Sequence, residues 1–148
     1  MSKFVFITPE ETRRACTELG ISDWSTKRDS AVDPREAEVI RRAVGGEALD
    51  IPLEDFRTGL EVELEHGSLN ADANVTANHP LATGLIVLAH LKEGLDYYAR
   101  LSCMELEMDL DSALAAGDLE RARAKRRALA SVRARLETSV GERLAGAD

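Results

Sequence analysis

The sequence predicts an all-α protein, a compact helical domain followed by a long charged C-terminal αα-hairpin. Three observations predict it. The chain is 44% hydrophobic but only 4% aromatic, with 31% charged residues, the balance of a helical core filled by Leu, Val and Ala. Apolar residues recur three and four positions apart along most of its length. Helix-start signals, a Thr or Asp followed by Pro and then Glu, punctuate the first third. At 148 residues the chain can enclose one core and is too short for two ordinary domains, so the expectation is one domain plus a helical extension.

The elements follow in order. "FVFI", residues 4–7, has no second strand nearby to pair with and is expected to be an apolar arm packed on helices. In "TPEE", Thr8 is an N-cap, Pro9 the first helical residue, and Glu11 is placed to reach back to the cap; this helix should stop at Gly20. "DPRE" repeats the device with Asp33, Pro34 and Glu36, and its helix, with Ala37, Ile40 and Val44 on one face, should run to Gly45-Gly46. The next helix spans about Leu53 to His66, with Phe56, Leu60 and Leu64 on its stripe and Gly67 closing it. The loop "GSLNADANVTANH" is long enough to be functional. Pro80 starts a helix with Leu81, Leu85, Leu88 and Leu91 turned inward, and Gly94 predicts a kink or break before Asp96. The pattern resumes to "AAGD". Asp118 then caps a last helix whose thin stripe, Ala122, Leu129, Leu136 and Val140, runs among many arginines.

Formal net charge is −8, so the chain should repel nucleic acid and anionic membrane surfaces rather than bind them. The charge is unevenly placed. Residues 119–148 hold eight Lys and Arg against four acids, about +4, leaving about −12 on the rest. The acidic helix before "AAGD" (Glu105, Glu107, Asp109, Asp111) and the basic one after it (Arg121, Arg123, Lys125, Arg126, Arg127) should attract as a hairpin, which sets register more than stability. No window approaches a membrane-spanning length of apolar residues. Cys16 and Cys103 make neither a disulfide framework nor a metal pair, and no apolar leader opens the chain, so a reducing cytoplasm is the expected setting.

Candidate chemistry sits in two helical motifs. Residues three apart share a helix face, so Glu63 and His66 in "ELEH" project together, as do His90 and Glu93 in "HLKE". Facing each other, the two helices would bring two carboxylates and two imidazoles to one point, a ligand set for a divalent transition metal of the kind di-metal carboxylate bundles use. Asp96 and Tyr97 would stand beside it, Tyr97 lying two turns beyond His90. The same spacing also occurs on plain solvated helix faces, where the macrodipole favours a His near the C-terminus. Glu61 and Glu65, four apart, repel unless cations meet them. Asp72, Asn74, Thr76 and Asn78 alternate like the first half of a calcium loop but lack its glycine and closing glutamate; as turn formers and caps they need no ion. No nucleophile elbow or phosphate loop is present, and three histidines leave acid–base chemistry few residues.

Residues 54–101, through "GLEVELEHG", "NVT", "AHL" and "DYY", resemble a family of small bacterial and phage-encoded domains of unknown function, and "TPEETRRACTELGISDW" is similar to its leading helix. The resemblance implies a compact helical domain and no particular activity, and its phage members imply a component of a virion or another assembly. Matching positions include Glu61, Glu63, Glu65, His66, His90, Glu93, Asp96, Tyr97 and Tyr98. His79 stands where an acid is expected, "EGLDYY" replaces a stretch with its own proline, and residues 27–49 look like an insertion. The expected organisation is a helical domain over 1–101, with that inserted helix, and a charged hairpin over 102–148.

Two functional expectations result. The first is a non-catalytic interaction or assembly protein that binds a protein partner or itself through Ala122, Arg126, Leu129, Leu136 and Val140, either in the cytoplasm or incorporated in a virion. The second is a divalent-metal protein or enzyme built on Glu63, His66, His90 and Glu93.

Overall fold

The computed structural model describes residues 6–147, among which it forms six α-helices and no strand. The fold is all-α. By internal packing the chain divides after Leu95, with four helices before that point and a two-helix hairpin after it. Phe4 and Val5 of the apolar arm lie outside the described residues; Phe6 is exposed and Ile7 half-buried.

In the first unit, α1 (Pro9–Leu19) begins with the full reciprocal box. The Thr8 hydroxyl accepts from the Glu11 N–H while Glu11 accepts from the Thr8 N–H, and Gly20 closes the helix at φ 70°. Asp33 caps α2 (Pro34–Val44) by accepting from the Arg35 N–H. Glu36, expected to complete a second such box, is used elsewhere: its carboxylate accepts from the Ser22 N–H at 2.7 Å and the Trp24 indole N–H at 3.1 Å. Burial pushes the Glu36 carboxyl up, and these hydrogen bonds more than offset it, leaving it below its ordinary value. A fully buried indole needs an acceptor, and that need outweighs a cap on an exposed helix end.

Two expectations about the central helices are corrected. α3 (Leu53–Leu69) runs through Gly67 instead of stopping there, because Gly67 serves as a contact point: a Cβ at that position would meet Asn74 Nδ2 at 2.9 Å and Asn78 Oδ1 at 3.0 Å. In α4 (Pro80–Glu93) the buried face is Pro80, Thr83, Gly84, Val87 and Leu91, while Leu85 is 55% exposed. The stripe is rotated from the leucine count by Gly84, where a Cβ would lie 2.9 Å from a Val44 methyl and 3.0 Å from an Ile40 methyl. The missing side chain lets α4 approach α2 and α3, and the core closes around Trp24, Ile40, Phe56, Leu60, Leu64 and Val87, all at most 1% exposed.

The break predicted at Gly94 is complete. α4 ends at Glu93 and α5 (Tyr97–Ala115) starts anew. Gly117, at φ 69°, turns the chain into α6 (Leu119–Ala145), whose first turn is capped by Asp118 accepting from the Arg121 N–H. α5 and α6 pack along one another as the antiparallel hairpin of the second unit.

Candidate functional site

In the first unit α3 and α4 bring three of the four expected ligands together. Glu63 lies with one carboxylate oxygen 3.9 Å from His66 Nδ1 and the other 3.7 Å from His90 Nε2. The His66 contact follows from the three-residue spacing on α3, and the His90 contact from the packing of α4 on α3. The Glu63 side chain is 15% exposed, and those of His66 and His90 are 39% and 31% exposed. Glu93 is exposed at the last position of α4. Among the described residues no three His, Cys, Asp or Glu side chains are gathered in a metal-holding arrangement.

Glu63 and His66 also border a cavity of about 380 Å³ that continues along Gly67, Asn74, Thr76 and Thr83. Asn74 and Thr76 bring the loop between α3 and α4 into its lining. There the side chains bond one another: Asn74 Nδ2 donates to Asn78 Oδ1 at 2.9 Å, and the Thr76 hydroxyl to Asn74 Oδ1 at 3.1 Å. Ala77 and Asn78 take φ of 47° and 59°, and the buried Thr12 hydroxyl of α1 donates to the Ala77 carbonyl at 2.9 Å. Amide and hydroxyl groups turned to each other form a tied loop rather than a cage of oxygens. His79 caps α4 by accepting from the Ala82 N–H on Nδ1, and burial holds its imidazole below the usual histidine range.

The remaining glutamates of "GLEVELEHG" separate by role. Glu61 accepts from Arg57 at 2.8 Å and from the Val32 N–H at 3.0 Å. Arg57 also pairs with Glu54 and donates to the Val32 carbonyl, so together they fasten the segment before α2 onto α3. Sequence reasoning missed this use of Arg57, although its spacing of three from Glu54 and four from Glu61 was a signal. Glu65 is exposed.

In the second unit Asp96 is an ion-pair hub: it meets Arg100 at 2.9 Å and Arg143 at 2.6 Å, with its own side chain only 10% exposed. The Arg100 hydrogen bond, followed by that of Arg143, holds its carboxyl below the usual range. Tyr97 packs edge-on against Tyr98, ring centroids 5.2 Å apart. Further along the hairpin Glu107 pairs with Arg133, and Asp109 with Lys125 and, at 3.5 Å, Arg121.

Of the stripe expected to meet a partner, Ala122 and Leu129 are buried, whereas Leu136 and Val140 are half-buried and Arg126 is exposed. Leu136 and Val140 line a groove of about 530 Å³ between α5 and α6, together with Cys103 and Met104. Its charged lining is Arg100 and Glu107 from α5, Arg133 and Glu137 from α6. Met104, Met108 and Leu144 are 50%, 61% and 69% exposed. Among the described residues no helix is long and apolar enough to cross a membrane.

These features define a helical domain with a histidine–carboxylate cluster and a hairpin whose groove is lined by both charged and apolar side chains. The chain matches, over residues 12–107, the family described as "Protein of unknown function (DUF5661)", and it belongs to that family. The match ends within α5, so α6 lies beyond it. No curated protein and no solved structure matches the chain.

Proposed function

We propose that this chain is a non-catalytic helical interaction or assembly protein that meets its partner through the groove face of the α5–α6 hairpin. The observation that carries this reading is the 530 Å³ groove, lined by half-exposed Met104, with exposed Met108 and Leu144 one turn beyond the lining residues Met104 and Val140. Single exposed apolar residues are ordinary on any surface, whereas a run of them along one face marks a contact site. Two packed helices also have too little facing surface to enclose an apolar core on both sides. Net charge of −8 argues against nucleic acid or anionic lipid as the partner. The resemblance to bacterial and phage-encoded domains makes a virion or a comparable assembly the setting we favour, and otherwise the cytoplasm. Affinity purification of the tagged full chain from its native host, wild type beside Met104→Asp, tests the reading. A protein held by the wild type and lost from the variant supports it; identical protein content in both preparations, with no Met104-dependent self-association, would sink it.

A second reading is favoured by one observation, the position of Glu63 between His66 and His90. Ligands about 2.1 Å from a tetrahedral metal stand about 3.4 Å apart, so the present separations of 3.7 and 3.9 Å, to the two different oxygens of Glu63, would have to close on binding. A divalent transition metal bound there would brace α3 to α4. Elemental analysis of protein purified without chelator should then find near-stoichiometric metal, removed by His66→Ala and by His90→Ala. Metal-free protein whose melting temperature ignores added zinc, iron or manganese would eliminate this reading.

A further inference from the structure

We infer that the groove of the hairpin is occupied by a second copy of this chain, two hairpins meeting face to face as an antiparallel four-helix bundle. The inference rests on the hairpin being a contact surface and names what it contacts. A closed two-copy interface is self-complementary, because each copy presents the same patch to the other. The charged lining of the groove has that property. Glu107 is level with Arg133, to which it is bonded; two turns back along α5 lies Arg100, and one turn further along the antiparallel α6 lies Glu137. The signs therefore alternate around the four corners. Turning a copy over so that its α6 lies on this copy's α5 sets each arginine toward a glutamate, with the apolar lining between them.

Net charge points the same way. Residues 96–148 hold ten acids and nine bases, a net of −1, whereas residues 1–95 hold seventeen acids and ten bases, a net of −7. Self-pairing through the first unit would bring two strongly negative bodies together, while pairing through the hairpin brings together two nearly neutral ones. The spacing of the apolar residues fits as well: exposed Met104 and Met108 on α5, and half-buried Leu136 and Val140 with exposed Leu144 on α6, each lie one turn from the next, the i, i+4 repeat that a helix bundle buries.

Sedimentation velocity of the full chain over a concentration series tests this, with Met104→Asp and Glu137→Arg alongside and a thermal melt of each. The expected result is a concentration-dependent dimer whose dissociation constant rises on the order of tenfold or more in Met104→Asp, where a carboxylate would be buried unpaired. Glu137→Arg should weaken it too, by setting like charges together, with both melts of the dissociated chain unchanged. A dimer indifferent to both substitutions overturns the inference. So does a wild type that stays monomeric at about 100-fold the concentration of a typical micromolar dissociation constant. A monomer that nonetheless captures another protein in a Met104-dependent way overturns self-pairing alone and leaves the contact-surface reading standing. A monomer with no Met104-dependent partner overturns both.

Discussion

The two units of this chain solve the problem of burying helices in opposite ways. The first closes over its own core: Trp24, Phe56, Leu60 and Val87 are fully buried, and long-range hydrogen bonds such as Thr12 to Ala77 and Trp24 to Glu36 satisfy the polar groups that go in with them. The second has Ala113, Ala122 and Leu129 along its seam, tied by ion pairs, with methionines and leucines left facing out. Stability in the first comes from shape. In the second, ion pairs tie the two helices together, and apolar side chains remain exposed.

The largest expected effect separates them directly. Phe56→Ala should lower the stability of the first unit by about 3–5 kcal/mol, the cost of removing a large side chain from a packed core, in chemical denaturation followed by circular dichroism. Met104→Ala, at a residue 50% exposed, should change the dissociated chain by no more than about 0.5 kcal/mol. Comparable losses from the two would mean that the groove is filled by its own chain, and the contrast would collapse.

Glycine offers a smaller and signed version of the same test. Gly84→Ala adds a Cβ 2.9 Å from a Val44 methyl and should destabilise by about 1–3 kcal/mol through overpacking. At Gly141 on α6 an added Cβ meets nothing within 4 Å, so Gly141→Ala should stabilise the helix by roughly 0.5–1 kcal/mol. A melting temperature that does not fall in Gly84→Ala would show that α4 is not held by close approach.

Those glycines also show where sequence stops being informative. The helix starts at Thr8, Asp33 and Asp118 are legible because a cap is a contact between residues two or three apart, and the break at Gly94 is legible from backbone freedom alone. The grouping of Glu63 with His66 is likewise local. His90 reaches the same carboxylate only because α4 lies on α3, so the sequence offers that contact as a condition. Gly84 and Gly67 read as weak points in helices, and only the neighbour they admit explains them. Trp24 gave no pattern at all: it sits in a short turn, and its acceptor Glu36 had a plausible local role as half of a capping box. Where a local and a distant partner compete for one side chain, the local rule is the one sequence can see.

The smallest effect tests whether charge holds the open end of the hairpin. Asp96 ties the start of α5 to the end of α6 through Arg100 and Arg143, and the Arg100 hydrogen bond foremost keeps its carboxyl below the ordinary value. Because the folded value lies below the unfolded one, the stabilisation is fully present above about pH 4, the unfolded aspartate value, and is lost as pH falls through the folded value. Asp109, whose carboxyl is lowered foremost by Lys125, titrates in the same sense. The informative quantity is therefore the difference between wild type and Asp96→Asn. Amide hydrogen exchange in the first turn of α5 and the last turn of α6 should be slower in the wild type at neutral pH, with the gap closing as Asp96 is protonated in acid and narrowing at high salt. A gap that persists in acid would mean that Asp96 holds the hairpin end by hydrogen-bond geometry that does not depend on its charge and that the asparagine amide does not reproduce, and the contrast between a unit held by shape and one held by charge would need to be redrawn at that end.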